Sequence, residues 1–175
     1  RMQSYLLPAE GHETEVRPLI IMVNGYDATI TDMYFAMGVA AARRGYHVLL
    51  FDGPGQGGML YVQGVPLRAD WEVVVSAVID YAVTVPIVDA GRIAVHGWSL
   101  GGYLAPRAAS GDDRIAACIA DPGQWDLGAA MVGFAERFGA TPEQAADPEQ
   151  LDDAVLAKMT AVIAQNRAMR WTIEQ

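Results

Sequence analysis

The stretch Gly97-Trp98-Ser99-Leu100-Gly101 constrains the local path of this chain more tightly than any other. It joins an apolar run, residues 92–96, to a helix-like stretch, residues 103–109. A Gly-x-Ser-x-Gly string in that setting requires a sharp strand-to-helix turn, and glycines flank the serine because a Cβ at either place would crowd neighbouring backbone. The turn holds the Ser99 side chain proud of the sheet edge, where it is a candidate nucleophile. An incidental serine in a tight glycine turn is the competing reading, and it leaves the preceding strand and following helix unexplained.

The rest of the chain supplies a sheet for that turn to cap. Four short apolar runs, residues 19–23, 47–51, 93–95 and 115–120, alternate with longer helix-like segments. This is the pattern of a parallel sheet covered on both faces. Residues 32–44 carry Tyr34, Phe35, Met37, Val39 and Ala42 and predict a crossover helix, with Gly45 as its C′ glycine. Asp70 is placed to cap a second helix through about residue 83, with Val74, Val75, Val78, Ile79 and Tyr81 at helical spacing. Pro86 then ends it, and Asp89-Ala90-Gly91 turns the chain into the third apolar run. Residues 4–8 predict a further strand.

The fold class expected is therefore α/β, a mostly parallel sheet with helices on both faces. Residues 1–122 form its core and residues 123–175 a helical insertion, because no strand-like run follows Asp121-Pro122-Gly123. The insertion is broken at Gly139-Ala140-Thr141-Pro142 and again at Asp147-Pro148, with Glu149, Asp152 and Asp153 favouring the positive end of a last helix. Both ends read as interrupted: a strand is entered almost at residue 1, and Ile173-Glu174-Gln175 carries no capping signal.

Charge and composition exclude several function classes. A formal net charge of -9 repels nucleic acid phosphates and anionic lipid surfaces, so nucleic acid is not an expected partner. Hydrophobic residues make up 52 %, yet no apolar stretch approaches the roughly 20 residues of a membrane span, and no membrane association is expected. Arg1-Met2-Gln3-Ser4 has no signal-peptide pattern, which favours a cytoplasmic location. A single cysteine, Cys118, excludes an intrachain disulfide, and its neighbours Ala116, Ala117 and Ile119 predict a small buried side chain. The histidines and Cys118 lack zinc spacing, so no metal is expected.

A serine that attacks a carbonyl needs hydrogen-bond donors for the oxyanion that forms. One is the backbone N–H of Leu100, directly after the serine. The second comes from the loop Asn24-Gly25-Tyr26-Asp27 after the first long strand, with the Tyr26 N–H preferred and the Asp27 N–H as the alternative. The loop Asp52-Gly53-Pro54-Gly55-Gln56-Gly57-Gly58 formally contains Gly-x-Gly-x-x-Gly. A dinucleotide site would need a helix starting on that loop and an acid at the tip of the next strand. Here the predicted helix starts near Asp70 and Pro54 removes an N–H, so the loop reads as a sharp turn near the pocket mouth and no cofactor is expected.

The histidines pose a problem, because His12, His47 and His96 all precede Ser99. His96 lies on the strand itself, three residues before Ser99, and is predicted to point into sheet packing. His47 begins a strand at the far end from the site, and His12 sits in a polar turn. None is a suitable base. Asp121, at the carboxyl end of the last run, lies on the edge where ligands bind in such sheets. It is a candidate to line the pocket, cap a turn or orient a histidine.

At these residues the chain resembles the α/β-hydrolase family, from Ser4 to about Gly123. Within it, Asp52-Gly53-Pro54-Gly55-Gln56-Gly57, Asp70-Trp71-Glu72, residues 88–93 and residues 99–107 are similar to the branch containing dihydroxypseudooxynicotine hydrolase and the fermentation-respiration switch esterases. The resemblance implies a sheet in which the 47–51 strand lies beside the 19–23 strand, then the 93–95 strand, then the 115–120 strand. It implies a serine hydrolase acting on a small-molecule ester, amide or activated carbon–carbon bond through an acyl-enzyme on Ser99. It also implies that the triad acid and histidine follow the cap, so that this chain alone is inactive. A severed sheet edge would invite association with a second copy. The competing function is a non-catalytic module of the same fold that binds a ligand or partner.

Overall fold

The computed structural model describes residues 1–147, 153–155, 157, 158 and 161. The chain divides into two compact units, Arg1–Gln124 and Trp125–Gln175.

The first unit is built on a five-stranded sheet in the spatial order β1-β3-β2-β4-β5. Its strands are β1 (Ser4–Leu7), β2 (Arg17–Val23), β3 (His47–Phe51), β4 (Val88–Trp98) and β5 (Ile115–Asp121). β1 is antiparallel to β3, and the other neighbours are parallel. The order of the four parallel strands is the one the family resemblance implies. β3 is buried along its whole length and β2 along its last five residues, which is why both read as unbroken apolar runs.

Between β2 and β3 the crossover is less regular than the sequence pattern suggests. It begins at α1 (Ile30–Met33), passes through a π-helical turn at Tyr34–Gly38 and ends in α2 (Val39–Ala42). The start is earlier than residue 32 because the Thr29 N–H donates to the Asp32 carboxylate at 2.8 Å, one half of a capping box. The π turn shifts the apolar stripe. Ile30 and Met33 are buried, whereas Phe35, expected on the packed face, is 75 % exposed. Gly45 follows in the left-handed conformation, φ 85°. Ile30 and Met33 pack with Ile20, Met22, Val48 and Leu50 on one face of the sheet.

After β3 comes the short α3 (Gly57–Tyr61), and then α4 (Trp71–Ala82) buries Trp71, Val74, Val75, Val78, Ile79 and Ala82, each of its buried Val and Ile side chains contributing about 1.5–3 kcal/mol. Tyr81, counted on the apolar face from its spacing, is 55 % exposed. Asp70 occupies the N-cap position without a side-chain cap bond, because its carboxylate is held by Arg68 at 2.5 and 2.6 Å. Asp89-Ala90-Gly91 is part of β4 instead of a turn before it. Arg17 of β2 pairs with Val88, and the irregularity is absorbed as a register shift between Arg17 and Leu19.

α5 (Gly101–Ala109) packs against β4, β5 and α4. A bidentate ion pair, Arg107 to Glu72 at 2.8 and 2.9 Å, joins α5 to α4. Cys118 is exposed, contrary to the expectation of a buried side chain. Apolar neighbours signal burial only when a strand is covered, and β5 is the edge strand, with Ala116, Ala117, Cys118 and Ile119 all exposed. In the described residues no helix is long and apolar enough to cross a membrane.

The second unit contains α6 (Leu127–Glu136) and α7 (Pro142–Ala146). Asp126 caps α6 by accepting from the Ala129 N–H at 2.8 Å. Thr141 and Gln144 form a reciprocal capping box on α7, at 3.0 and 3.3 Å, where the sequence predicts the break before Pro142. Ala135, Ala140, Ala145 and Val155 form its small core. Asp153 is helical, whereas Glu149 and Asp152, named for the start of the last helix, lie outside the described residues.

Candidate active site

Ser99 stands between the end of β4 and the start of α5 with φ 57°, the one described non-glycine residue at positive φ. A left-handed serine is strained, and such strain persists only where the surroundings over-determine it. Here the Ser99 N–H donates to the Asp121 carbonyl at 2.7 Å, tying the turn to the end of β5. Its own carbonyl accepts from the Gly102 N–H at 2.9 Å and the Gln124 side-chain amide at 3.3 Å. The flanking glycines leave no room for a side chain: a Cβ on Gly97 would collide with the Gly101 carbonyl, and one on Gly101 with the Val23 carbonyl. Pro106 lies inside α5 and cannot donate to the Gly102 carbonyl four residues back. That carbonyl instead faces the Gln124 N–H at 3.5 Å.

The loop after β2 meets this turn directly. A Cβ built on Gly25 would sit 2.9 Å from the Ser99 Cβ and 3.4 Å from its Oγ, so Gly25 lies against the serine. Gly25 is buried, whereas Tyr26, Asp27 and Ser99 are exposed. Among the described residues the N–H groups of Leu100, Tyr26 and Asp27 have no acceptor, and the Ser99 hydroxyl has no hydrogen-bond partner. The turn and the loop are thus brought together, with unused donors on both.

None of the histidines reaches the serine. His47 is fully buried, accepting from the Ala9 N–H at Nδ1 (2.9 Å) and meeting the Glu15 carbonyl at Nε2 (2.9 Å), a structural role at the opposite end of β3. His12 pairs with Glu15 at 3.0 Å on the surface. His96 lies on β4 beside Met22 and Ile119, and its Nε2 is buried with no hydrogen-bond partner. Burial pushes its imidazole below the ordinary histidine range, against the opposing pull of Asp121. Asp121 pairs with Trp98 at the carboxyl end of the sheet and is exposed, its backbone carbonyl holding the Ser99 N–H. The described residues contain no cluster of three or more metal-ligating side chains.

A set of buried polar groups that local composition does not single out lies beneath the loop. Asn24, Asp52 and Gln56 are 0 %, 4 % and 1 % exposed. The Asp52 carboxylate accepts from the Asn24 side chain (2.9 Å), the Ile30 N–H (3.0 Å) and the Gly58 N–H (3.1 Å). Burial pushes its carboxyl above the usual range, with these three donors acting in the opposite direction. Gln56 donates to the carbonyls of Asn24 (2.8 Å) and Gly25 (3.4 Å) and accepts from the Gly53 N–H (3.1 Å). The signal was present: Asn24 and Asp52 each directly follow an apolar run, residues 19–23 and 48–51, and the two strands are neighbours. Polar side chains there must find partners, and of these three only Asn24 Oδ1 has none. A short helix, α3 (Gly57–Tyr61), also starts on the glycine loop, where none was expected before Asp70. Its Gly58 N–H donates to the Asp52 carboxylate.

Comparison with known proteins agrees with this fold. A model of the alpha/beta hydrolase family matches residues 20–173. A 20-hydroxy-prefusarin hydrolase of Gibberella moniliformis is 46 % identical over 127 residues, covering 69 % of this chain and 30 % of that protein. A hydrolase of Pyricularia oryzae is 38 % identical over 178 residues, covering 97 % of this chain and 41 % of its own length. Among solved structures, a 2,6-dihydroxy-pseudo-oxynicotine hydrolase superposes with a TM-score of 0.69 at 30 % identity, over 88 % of this chain and 44 % of that one. Est1E of Butyrivibrio proteoclasticus gives a TM-score of 0.57 at 26 % identity, over 87 % of this chain and 57 % of its own. The chain thus spans less than half the length of the two fungal relatives. With the family model running through β2, the Ser99 turn and beyond, the chain belongs to the α/β-hydrolase family.

Proposed function

We propose that the full-length protein is a serine hydrolase whose nucleophile is Ser99. The carrying observation is the left-handed Ser99 on the β4–α5 turn with Gly25 packed against it and unused N–H donors on both sides. Ser99 Oγ bonds to the carbonyl carbon of an ester, amide or activated carbon–carbon substrate, and its proton passes to a base. The negative oxygen is held by the Leu100 N–H and the Tyr26 N–H, with Asp27 as the alternative donor. The leaving group departs with the proton. Water then attacks the acyl-enzyme, releasing the acid and restoring the hydroxyl. Asp121 lines the pocket. Residues 123–175 belong to a helical cap.

The base comes from a part of the full-length protein outside these residues, since His12, His47 and His96 are all engaged elsewhere or turned into the sheet. A small organic substrate is supported by relatives named for the hydrolysis of 20-hydroxy-prefusarin and 2,6-dihydroxy-pseudo-oxynicotine. The same lack of a base favours a second reading, a non-catalytic binding module. Ester hydrolysis by the full-length protein separates the two: turnover that falls by about 10⁴ to 10⁶ in Ser99→Ala supports the enzyme. Turnover unaffected by that change overturns Ser99 as the nucleophile, and no hydrolysis of ester, amide or activated carbon–carbon substrates by the native protein favours the module.

A further inference from the structure

We propose that Asn24, Asp52 and Gln56 form a buried bracket whose task is to aim the Tyr26 N–H at the oxygen of the reacting carbonyl. The proposal deepens the reading of Ser99 as a nucleophile and rests on it. The three are positioning residues, since none of their side chains hydrogen-bonds to Ser99.

Three polar side chains, each at least 96 % buried, are costly to place in a core, because apolar residues of the same shape would pack there at no desolvation penalty. Asp52 is the extreme case. It has no cationic partner among the described residues and is satisfied by three N–H groups from three separate segments. One belongs to the loop after β2, one to the first residue of α1 and one to α3, so a single carboxylate fixes the relative position of all three.

Gln56 then acts on the loop itself. Its amide grips the carbonyls of Asn24 and Gly25. The Gly25 carbonyl and the Tyr26 N–H belong to one planar trans peptide and point in opposite directions. Holding the carbonyl down into the core therefore turns the N–H outward, on the segment whose Gly25 lies against Ser99. The same construction selects Tyr26 over Asp27, because no hydrogen bond of the bracket reaches the Tyr26 carbonyl, which shares its peptide with the Asp27 N–H. An oxyanion donor must be preset before reaction to be effective, and a buried, fully bonded amide is a means of presetting it.

Gln56→Glu is the sharpest test. It preserves shape but replaces the gripping donor by an acceptor that faces two carbonyl oxygens. In the full-length protein, inactivation by a fluorophosphonate is resolved into reversible affinity and maximal inactivation rate, alongside amide hydrogen exchange over residues 24–28. The maximal rate is expected to fall about 10²-fold with affinity nearly unchanged, and the Gly25 and Tyr26 amides to exchange faster. Gln56→Ala, which removes the grip without adding charge, carries the test if Gln56→Glu does not fold. Val75→Ala, a cavity in the α4 core, should lower stability while leaving the maximal rate intact. Folded Gln56 variants with an unchanged rate, or a loss confined to affinity, overturn the bracket alone. Labelling that persists in Ser99→Ala overturns the nucleophile reading beneath it.

Discussion

Gly25 and Gly97 both exclude a side chain, for different reasons, and the difference is measurable. A methyl at Gly97 meets the backbone of Gly101, which cannot yield, whereas one at Gly25 meets the Ser99 side chain at 2.9 Å. Gly97→Ala should cost about 3 kcal/mol or more, and lower the melting temperature by about 6–12 °C. Gly25→Ala should shift melting far less, yet slow fluorophosphonate labelling of the full-length protein about 10²-fold or more. Calorimetry and labelling on the same two variants check both. At this scale the sequence was most legible where sterics are strict: the glycine spacing around Ser99 permits few backbones. It was least legible where burial decides. Cys118 looked buried from its neighbours and is exposed, and Asn24, Asp52 and Gln56 looked like loop residues and are buried. Local composition does not tell which strand lies at an edge or which loop folds over a core.

The elements follow the periodicity closely where packing is two-sided and depart from it where capping or hydrogen bonding intervenes. β3 has the limits that its apolar run predicts, residues 47–51. The crossover departs, because the Thr29–Asp32 cap starts it early and the π turn rotates Phe35 outward. A second polar construction joins α4 to the start of β5. Asp112 is buried and accepts from Ser76 Oγ (2.7 Å) and from Arg114 at 2.9 and 2.6 Å, while Arg114 also reaches Asp80 at 2.7 Å. Arg114 foremost, with Ser76, holds the Asp112 carboxyl well below the usual carboxylate range. A carboxyl depressed on folding stabilises the fold in full above its unfolded pKa of about 3.9, and that contribution is lost as pH falls further. Asp112→Asn should therefore be less stable than the native chain by about 1–3 kcal/mol at neutral pH. The gap should hold down to about pH 4 and then narrow, only in part by about pH 3 because the folded carboxyl titrates lower still, which urea unfolding at neutral pH and at about pH 3 would measure. A gap independent of pH would contradict the assignment.

Over the whole molecule, the sheet order β1-β3-β2-β4-β5 leaves β5 at an edge with Ile119 47 % exposed. An apolar, uncovered edge strand is a template for pairing with another chain. The 175-residue chain is expected to self-associate with rising concentration, and Ile119→Lys to reduce that association, as sedimentation would report. A chain that stays monomeric at all concentrations would show that the edge is protected. The architecture was legible because four apolar runs admit few parallel arrangements, whereas the partner of Ser99 was not, because no histidine here hydrogen-bonds to it. The relatives are more than twice as long as the matched span, and the proposed activity belongs to a larger protein. Its most direct test is fluorophosphonate labelling of the full-length protein with mass mapping of the modified peptide. The account predicts one adduct, on Ser99, absent from Ser99→Ala. An adduct on another residue, or equal labelling of the alanine variant, would contradict it.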